Sequence, residues 1–518
     1  MQATGHDSGL RPKFVDSYIG EIMTSVVAIE YEPVIGLEVH AQLLTRSKMF
    51  CSCRADYQGT DPNTYVCPVC LALPGSLPVI NKRAVEFVIM TGLALNCEIP
   101  TYTKFDRKNY PYPDLMKGYQ ISQYDQPIST TGHMILLVNG QEKRVGITRV
   151  HLEEDVAKLF HRTDLSGESY SLLDVNRAGA PLMEIVGDPD LSSPDEARQY
   201  LMNLRSIVQY LGVSTGNMEE GSFRCDANIS VRPVGSSELG AKVEVKNMNS
   251  FRSVYRALEY EIDRQVRVIR DGGKIEQETR GWVDDRGITV SQRSKEYAHD
   301  YRYFPEPDLP PLTIDRDWVE EIRAGLPELP EARHNRFMAQ YGLSGYDSSL
   351  LTGSKELADL FEEELRQEPL ENTLLNRRAK AVSNWFLGKQ NEMLNASGIE
   401  LSRSKIKLGF VTQLIQMVEQ TVINSNTARD VFEASFETGR LPHDIVNERG
   451  LGQISDTSAI EPVIRDVINA NPQPVSDYMS GKANAIKFLM GQVMKETKGQ
   501  ANPQMVNQML IEALNAIQ

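Results

Sequence analysis

Polar residues of chemically useful types alternate with apolar residues in two neighbouring segments of the chain. The alternation predicts two strands, each with one buried face and one polar face. Guanidinium and ammonium groups bind phosphate, whereas carboxylates hold metal ions or hydroxyl groups. The strands therefore predict either a platform for an anionic ligand or an ordinary solvated sheet face. The polar positions are Arg224, Asp226, Asn228, Ser230 and Arg232 in the first strand, and Lys242, Glu244 and Lys246 in the second.

Other segments bring carboxylates and imidazoles together. His40 shares one face of a predicted strand with Glu38, and His151 shares a face with Glu153. A carboxylate in an apolar run is costly to bury alone, so such groups need a partner. The pattern predicts a metal site, although Mg²⁺ prefers oxygen ligands and a histidine there could instead position a phosphate or bind through water. The acidic candidates are Glu38, Glu153, Glu154 on the opposite strand face, and Glu184.

Four of the six cysteines form a compact pattern, Cys51-x-Cys53 and Cys67-x-x-Cys70, separated by thirteen residues. Paired thiols at this spacing can converge on one tetrahedral Zn²⁺ ion. Disulfide bonds, which need an oxidising compartment, and reduced thiols without a ligand are the alternatives. Four sulfur ligands close the coordination sphere, so we expect a structural zinc site in the loop 51–70.

The pattern of strands and helices around the candidate site residues predicts an α+β fold for residues 32–312. We expect a cradle domain built on a mainly antiparallel sheet. Helical patterns over 82–95 and 193–211 interrupt the strands. Residues 1–31 show no sustained periodicity and are predicted to be a disordered extension. The predicted strands cover 34–43, 134–138, 144–152, 222–231 and 241–245.

Strand signals end near Pro310. Helical patterns follow over 331–341, 355–366 and 373–394, which predicts an all-α domain over 313–404 and a small helical tail domain over 405–518. The tail is the best candidate for contact with nucleic-acid phosphates, with solvated helix lysines as the alternative. Its basic residues are Lys482, Lys487, Lys495 and Lys498.

Charge and hydropathy exclude two broad classes of protein. The net charge of −15 over 518 residues argues against a protein that coats nucleic acid indiscriminately. No apolar run approaches the ~20 residues of a membrane span, and no secretory signal is visible, which predicts a cytoplasmic location without membrane attachment.

Long ungapped motifs resemble the B subunit of the bacterial aspartyl/glutamyl-tRNA(Asn/Gln) amidotransferase. The resemblance runs from about Glu32 to the C-terminus. It implies an ATP-dependent step in which the side-chain carboxylate of Glu-tRNA(Gln) or Asp-tRNA(Asn) is phosphorylated and ammonia displaces the phosphate. The segments that carry it are 34–40, 105–110, 119–123, 218–232 and 300–308.

The resemblance also implies roles for the candidate residues. Glu38, His40, Glu184 and either Glu153 or Glu154 would bind Mg²⁺ and the phosphates of ATP. Because phosphoryl transfer needs cations to offset charge, Arg224 and Lys246 are the candidates for that task. Three further residues are candidates to bind a metal ion, a water molecule or the aminoacyl ribose, namely Asp226, Asn228 and Glu244. Arg107 and Lys108, close to aromatic residues, suit a tRNA acceptor end and equally suit a packed loop.

The chain lacks the sequence motifs of two common kinds of catalytic site. The nearest match to a P-loop, Gly235 to Lys242, has alanine where the lysine belongs, and no segment resembles the Gly/Ser-rich nucleophile segment of an amidase. The resemblance implies that an amidase A subunit releases the ammonia and that a small C subunit completes a heterotrimer.

Two alternatives remain. A related archaeal subunit carries an inserted synthetase-like domain, for which the sequence between Arg280 and Pro305 leaves no room. A non-enzymatic zinc-containing tRNA-binding or assembly protein would account for the cysteines and the helical tail but not for the polar strand faces. ATP hydrolysis that depends on charged tRNA separates this second alternative from the enzyme.

Overall fold

The computed structural model describes residues 29–294, 301–369, 371–452, 457–497 and 500–516. Most of the predicted extension over 1–31 lies outside these residues. The strands of the described part are β1 (Tyr31–Gln42), β2 (Tyr102–Thr103), β3 (Asp106–Asn109), β4 (Tyr119–Ser122), β5 (Ser129–Val138), β6 (Gln141–Glu154), β7 (Lys158–Thr163), β8 (Ser169–Asp174), β9 (Pro181–Gly187), β10 (Phe223–Pro233), β11 (Val243–Met248), β12 (Glu278–Val283), β13 (Ile288–Ser294), β14 (Phe304–Pro305) and β15 (Leu312–Thr313).

Eight strands form the central sheet, in the order β13-β12-β11-β10-β1-β9-β6-β5. Every neighbouring pair is antiparallel except β11 and β12, which run parallel. The predicted α+β fold with a mainly antiparallel sheet is therefore confirmed. All five predicted strands are present in this sheet.

Some strands were not predicted. β9 reads as an apolar run interrupted by Glu184, not as an alternation, because Leu182, Met183 and Ile185 are buried on both faces of the strand. The expectation that strands end at Pro310 is wrong for two residues, since β15 pairs with β2. Smaller sheets are formed by β14, β3 and β4, and by the hairpin of β7 and β8.

The helices of the described part begin mostly at residues that suit an N-terminus. Asn81, Ser193 and Ser250 accept hydrogen bonds from the first turns of α1, α2 and α3. The helices are α1 (Lys82–Ala94), α2 (Pro194–Tyr210), α3 (Phe251–Arg270), α4 (Arg316–Ala324), α5 (Pro330–Tyr341), α6 (Gly345–Thr352), α7 (Lys355–Leu365), α8 (Asn372–Trp385), α9 (Asn391–Ser397), α10 (Phe410–Glu419), α11 (Ser425–Thr438), α12 (Pro442–Arg449), α13 (Thr457–Ala470), α14 (Pro472–Met479), α15 (Ala485–Glu496) and α16 (Pro503–Asn515).

One face of the central sheet is covered and the other is polar. Helices α1, α2 and α3 pack on the apolar face, where Val39, Ile185 and Ala227 are fully buried. Because side chains alternate along a strand, the residues between these positions point to the opposite face. That face carries the candidate site residues.

A β-bulge interrupts the pairing of β6 with β9. Ile147 faces Gly187 and Arg149 faces Val186, so Thr148 is an extra residue on β6. The buried positions change parity at this point, from Val145 and Ile147 before the bulge to Val150 and Leu152 after it. The sequence contains this signal as a break in the apolar alternation.

Within its described residues, the helical region contains two further hydrophobic cores. One extends from Phe337 to Val446 and so contains residues on both sides of position 404, where a domain boundary was predicted. The other extends from Ile460 to Leu514. A cut at 404 would divide the first of these cores, whereas a cut after Leu451 would separate the two.

Candidate active site and metal centres

Three side chains from three adjacent strands meet on the polar face of the sheet. His40 on β1 lies opposite Glu184 on β9, and the neighbouring strand β6 adds Glu153. His40 Nε2 lies 3.5 Å from Glu184 Oε2 and 3.7 Å from Glu153 Oε1. All three potential ligand atoms lie within 4.8 Å of one another. The metal site predicted from carboxylates and imidazole therefore has a geometric basis in these three residues.

The charged groups in this cluster shift one another's pKa values. Burial alone would lower the pKa of His40, but Glu184, Glu153 and Asp226 raise it to about 9. Burial would raise the pKa of Glu184, but His151 and His40 hold it well below its usual value. At neutral pH the Glu184 carboxylate is therefore ionised and the His40 imidazole carries a proton, which a bound metal ion would have to displace before His40 could act as a ligand. Ionised carboxylates are the ligands that Mg²⁺ prefers, so the carboxylates fit that ion and His40 is the less usual member.

His151 belongs to the cluster as well, although it was not among the predicted ligands. It lies on β6 opposite Glu184, and its Nε2 is 3.2 Å from Glu184 Oε2. The side chain is buried, and its Nδ1 has no hydrogen-bond partner among the described residues. The sequence signal for His151 was its shared strand face with Glu153.

The adjacent carboxylates Glu153 and Glu154 point in different directions. Glu153 accepts a hydrogen bond of 3.3 Å from Ser122 Oγ beside the cluster. Glu154 pairs with Lys117 Nζ at 2.6 Å and accepts a hydrogen bond from the backbone N–H of Ile121. The structure thus brings Glu153 to His40 and Glu184, and it does not bring Glu154 there.

Strands β10 and β11 extend the polar floor beside the cluster. Asn228 Nδ2 donates a 2.6 Å hydrogen bond to Glu38 Oε1, and Lys246 Nζ lies 2.5 Å from Asp226 Oδ2. Lys246 is also 3.3 Å from Glu244, which accepts a hydrogen bond from Thr279. Burial lowers the pKa of Lys246, but Asp226 and Glu244 more than reverse the effect and the net direction is upward. The ammonium is therefore a fixed positive charge.

Arg224 is held by a buried carboxylate that sequence reasoning missed. Its Nη2 is 3.2 Å from Asp155 Oδ2, which also accepts a hydrogen bond from Gln42 Nε2 at 2.7 Å. Burial would raise the pKa of Asp155, but Arg224 and Arg177 lower it. Asp155 follows β6 directly, and its partners come from distant parts of the chain, so local pattern gave no signal for this role.

Arg107 and Lys108 are neighbours on β3 with different surroundings. Arg107 forms two hydrogen bonds of 2.7 Å with Glu306 and lies 4.3 Å from the ring centroid of Tyr119, which favours the packed-loop alternative. Lys108 Nζ lies 4.9 Å from the ring centroid of Tyr301. Burial lowers the pKa of Lys108, whereas Tyr303, Glu153 and Glu184 raise it, with a net upward direction. Lys108 therefore lies within electrostatic range of Glu153 and Glu184.

The four cysteines of the predicted zinc loop converge. Their sulfur atoms lie within 4.8 Å of one another, and all six cysteines of the chain are free thiols rather than disulfides. Cys67 Sγ and Cys70 Sγ are 3.8 Å apart. Tetrahedral zinc with Zn–S bonds of about 2.3 Å has an S–S edge of about 3.8 Å, so the spacing fits the ion. A hydrogen bond from the Cys51 thiol, with help from the Cys67 N–H and Lys48, lowers the pKa of Cys70 to about 4.

The chain is similar to known proteins along nearly its whole length. Residues 33–320 match the family described as GatB/GatE catalytic domain, and residues 368–514 match the one described as GatB domain. A Dehalococcoides mccartyi protein, named as the B subunit of the aspartyl/glutamyl-tRNA(Asn/Gln) amidotransferase, is 57% identical over 94% of this chain and 99% of the relative. The chain belongs to this family of amidotransferase B subunits. It is an enzyme subunit of that class, a ligase that forms carbon–nitrogen bonds with glutamine as the nitrogen donor.

Other amidotransferase B subunits show the same extent of similarity. Proteins of that name from Carboxydothermus hydrogenoformans and Thermomicrobium roseum are 54% and 55% identical, each over 94% of this chain and 99% of the relative. Coverage of nearly the whole length of these relatives agrees with the absence of room for an inserted synthetase-like domain. No helix in the described ranges is long and apolar enough to cross a membrane.

The basic residues of the tail have mixed surroundings. Lys487 and Lys495 are exposed on α15. Lys482 precedes that helix and pairs with Asp477 at 3.0 Å. Lys498 lies outside the described residues. Two exposed ammonium groups on one helix are compatible with phosphate contact and also with simple solvation.

Proposed function

We propose that this chain activates the side-chain carboxylate of Glu-tRNA(Gln) or Asp-tRNA(Asn) with ATP and converts it to the amide. A carboxylate oxygen attacks the γ-phosphorus of ATP, the bond to the bridging oxygen breaks, and ADP leaves. Ammonia then attacks the carbonyl carbon of the acyl phosphate, the carbon–oxygen bond to phosphate breaks, and phosphate leaves with loss of a proton from nitrogen. The proposal gives Gln-tRNA(Gln) or Asn-tRNA(Asn).

The observation that supports this proposal most strongly is the acidic cluster bordered by cations. His40, Glu153 and Glu184 would hold Mg²⁺, with Glu38 further along the same face of β1, and bound Mg²⁺ would supply positive charge against the phosphates. The chain adds three ammonium or guanidinium groups around the cluster. These are Lys108, Arg224 and Lys246.

The cations are oriented before any substrate arrives. Asp226 and Glu244 restrain Lys246, and Asp155 restrains Arg224. Because the groups need no reorganisation when charge develops on the transferring phosphoryl group, they stabilise it more than mobile side chains would. Substrate positioning near the cluster is assigned to the tyrosines around Lys108, which offer flat surfaces for bases of the acceptor end.

We assign the ammonia supply to an amidase A subunit and complete the assembly with a small C subunit. The isolated chain is expected to hydrolyse no glutamine, since its sequence holds no amidase nucleophile segment. Reconstituted with A and C subunits, it should cleave ATP only when charged tRNA is present and should form the amidated product. The measurement is ADP release with and without Glu-tRNA(Gln) or Asp-tRNA(Asn).

Two outcomes would contradict this division. Glutamine hydrolysis by the rigorously purified single chain would show an amidase site here. Tight binding of tRNA without any tRNA-dependent ATP cleavage in the reconstituted complex would favour the alternative, a non-enzymatic zinc-containing tRNA-binding or assembly protein.

We propose that the tail binds the outer body of the tRNA through its exposed lysines. A truncation after Leu451 leaves the core that ends at Val446 intact and removes the separate core of the tail. It should weaken binding of charged tRNA steeply and leave ATP and zinc binding nearly unchanged, because phosphate contacts position a nucleic acid without forming the reaction site. Filter binding against salt concentration measures the effect.

A matched variant tests the charges without removing the domain. Lys487→Gln with Lys495→Gln should weaken binding of charged tRNA and reduce the slope of log affinity against log salt by about one to two. Unchanged affinity for charged tRNA in both the truncated chain and this double variant would overturn the proposal for the tail.

A further inference from the structure

Lys48 is a lysine with no exposed surface, and it lies between the cysteine loop and the β7–β8 hairpin. Its backbone N–H donates to the carbonyl of Cys53 at 2.9 Å. Its Nζ donates to the carbonyl of Tyr65 at 2.8 Å and, more weakly, to that of Val175 at 3.4 Å. Tyr65 precedes Cys67 by two residues, and Val175 directly follows β8.

A buried ammonium group is costly unless a negative charge compensates it. Among the described residues, no carboxylate lies within ion-pair distance of Lys48 Nζ, and its two acceptors are uncharged backbone carbonyls. Two other lysines of the same domain have such a partner, as Lys117 has Glu154 and Lys246 has Asp226. Packing alone therefore does not explain why a charged residue occupies this position.

The missing negative charge is available in the cysteine cluster. Gly179 packs between the two groups, since a Cβ atom there would lie 3.6 Å from Lys48 Cδ and 3.9 Å from Cys70 Cβ. Four thiolates around one divalent ion leave the cluster with two negative charges, and the surrounding protein must offset them.

We propose that Lys48 is a positioning residue whose ammonium group is the fixed counter-charge of the metal-bound thiolates, and that it strengthens metal binding at Cys51, Cys53, Cys67 and Cys70. The inference rests on the proposed zinc site. It adds a residue outside the four ligands that determines how tightly the loop holds its ion. By bonding Tyr65 and Val175, the same ammonium joins the metal loop to the base of the hairpin.

The test compares metal affinity and stability in the full chain. Lys48→Met keeps the apolar stem and removes the charge. Zinc affinity, measured by competition with a chromophoric chelator, should fall roughly 10- to 100-fold, the range found for groups that surround metal ligands. Lys143→Met is the control, since Lys143 is partly buried, pairs with Glu196 at 2.6 Å and lies outside the cysteine loop.

Comparing the melting temperature with and without zinc distinguishes two roles of Lys48. One is charge compensation of the thiolates, and the other is a purely structural link between the metal loop and the hairpin. Zinc binds deprotonated thiols and releases their protons, so the zinc-free cluster carries fewer thiolates than the zinc-loaded form. Lys48→Met should therefore lower the melting temperature of the zinc-loaded chain clearly more than that of the zinc-free chain. Equal losses in both states would show a tie between loops and overturn the inference. If Lys48→Met does not fold, Lys48→Gln replaces it, because glutamine retains donors for the carbonyls but carries no charge.

A double variant adds a second check. Cys67→Ser removes one negative charge from the cluster, so the effect of Lys48→Met on zinc affinity should be smaller in that background. Equal zinc affinity of the wild type and Lys48→Met overturns only the role of Lys48. A wild-type chain that binds no zinc overturns the zinc assignment and the inference together.

Discussion

Glu184→Gln should lower tRNA-dependent ATP cleavage by the reconstituted complex on the order of 10²- to 10³-fold, the loss typical when one stabilising group is removed. Glutamine keeps the shape of the side chain but removes the charge that holds His40 and His151 and that would bind the metal ion. The glutaminase activity of the partner should suffer less, since its chemistry lies elsewhere. ADP release per folded complex and the melting temperature are measured together.

Glu154→Gln is the matched control for this result. Glu154 is a carboxylate that is buried like its neighbour Glu153, but it pairs with Lys117 and not with the cluster. Its replacement should lower stability and leave ATP cleavage per folded molecule nearly normal, whereas Glu153→Gln should resemble Glu184→Gln. Normal ATP cleavage by a well-folded Glu184→Gln complex would remove Glu184 from the site.

Cys67→Ser should lower the zinc content and the melting temperature together. A structural metal site contributes folding free energy, and the loss of one of four ligands forfeits much of it. Elemental analysis of protein handled without chelator measures the zinc, and calorimetry or circular dichroism measures the melting temperature. The expected zinc content is about one equivalent in the wild type, because one closed site of four thiolates binds one ion.

Cys97→Ser is the control for the cysteine cluster. Cys97 is buried and free but does not belong to the group of four converging thiols, so serine there should cost some stability and leave the zinc content unchanged. A wild-type protein with less than about half an equivalent of zinc would contradict the zinc assignment, since a closed four-sulfur site retains its ion through purification.

Features with a local pattern could be predicted from the sequence. The alternation in β10 and β11 predicted both strands and the residues on their polar face, and the cysteine spacing predicted the convergence of four thiols. Strand β12 was missed because glycine, arginine and tryptophan weaken its alternation, and β13 was missed although it begins with a short alternation of Ile288 and Val290 with Thr289 and Ser291. The parallel pairing of β12 with β11 is also a long-range property that local pattern does not contain.

Features that depend on distant partners could not be predicted. The choice between Glu153 and Glu154 depends on β9 lying between β1 and β6, which sets the face that meets His40. The local sequence suggests that Arg107 binds a ligand, but its partner is Glu306, which lies 199 positions away in the chain. Lys48 lies between serine and methionine in a segment with no periodic pattern, so the local sequence does not predict that its charge is buried.

The bulge at Thr148 limits how the length of this chain can vary during evolution. Val145 and Ile147 differ in parity from Val150 and Leu152, so the extra residue brings both pairs to the same face, and a strand without Thr148 could still bury all four by regular alternation. One residue inserted after the bulge, with the upstream half in register, would instead turn Val150 and Leu152 to the polar face and move Glu153 away from the cluster. Insertions are tolerable at the Asn139–Gly140 turn, where the backbone is already left-handed. Between that turn and Asp155, however, homologous chains that retain activity should show no single-residue insertions.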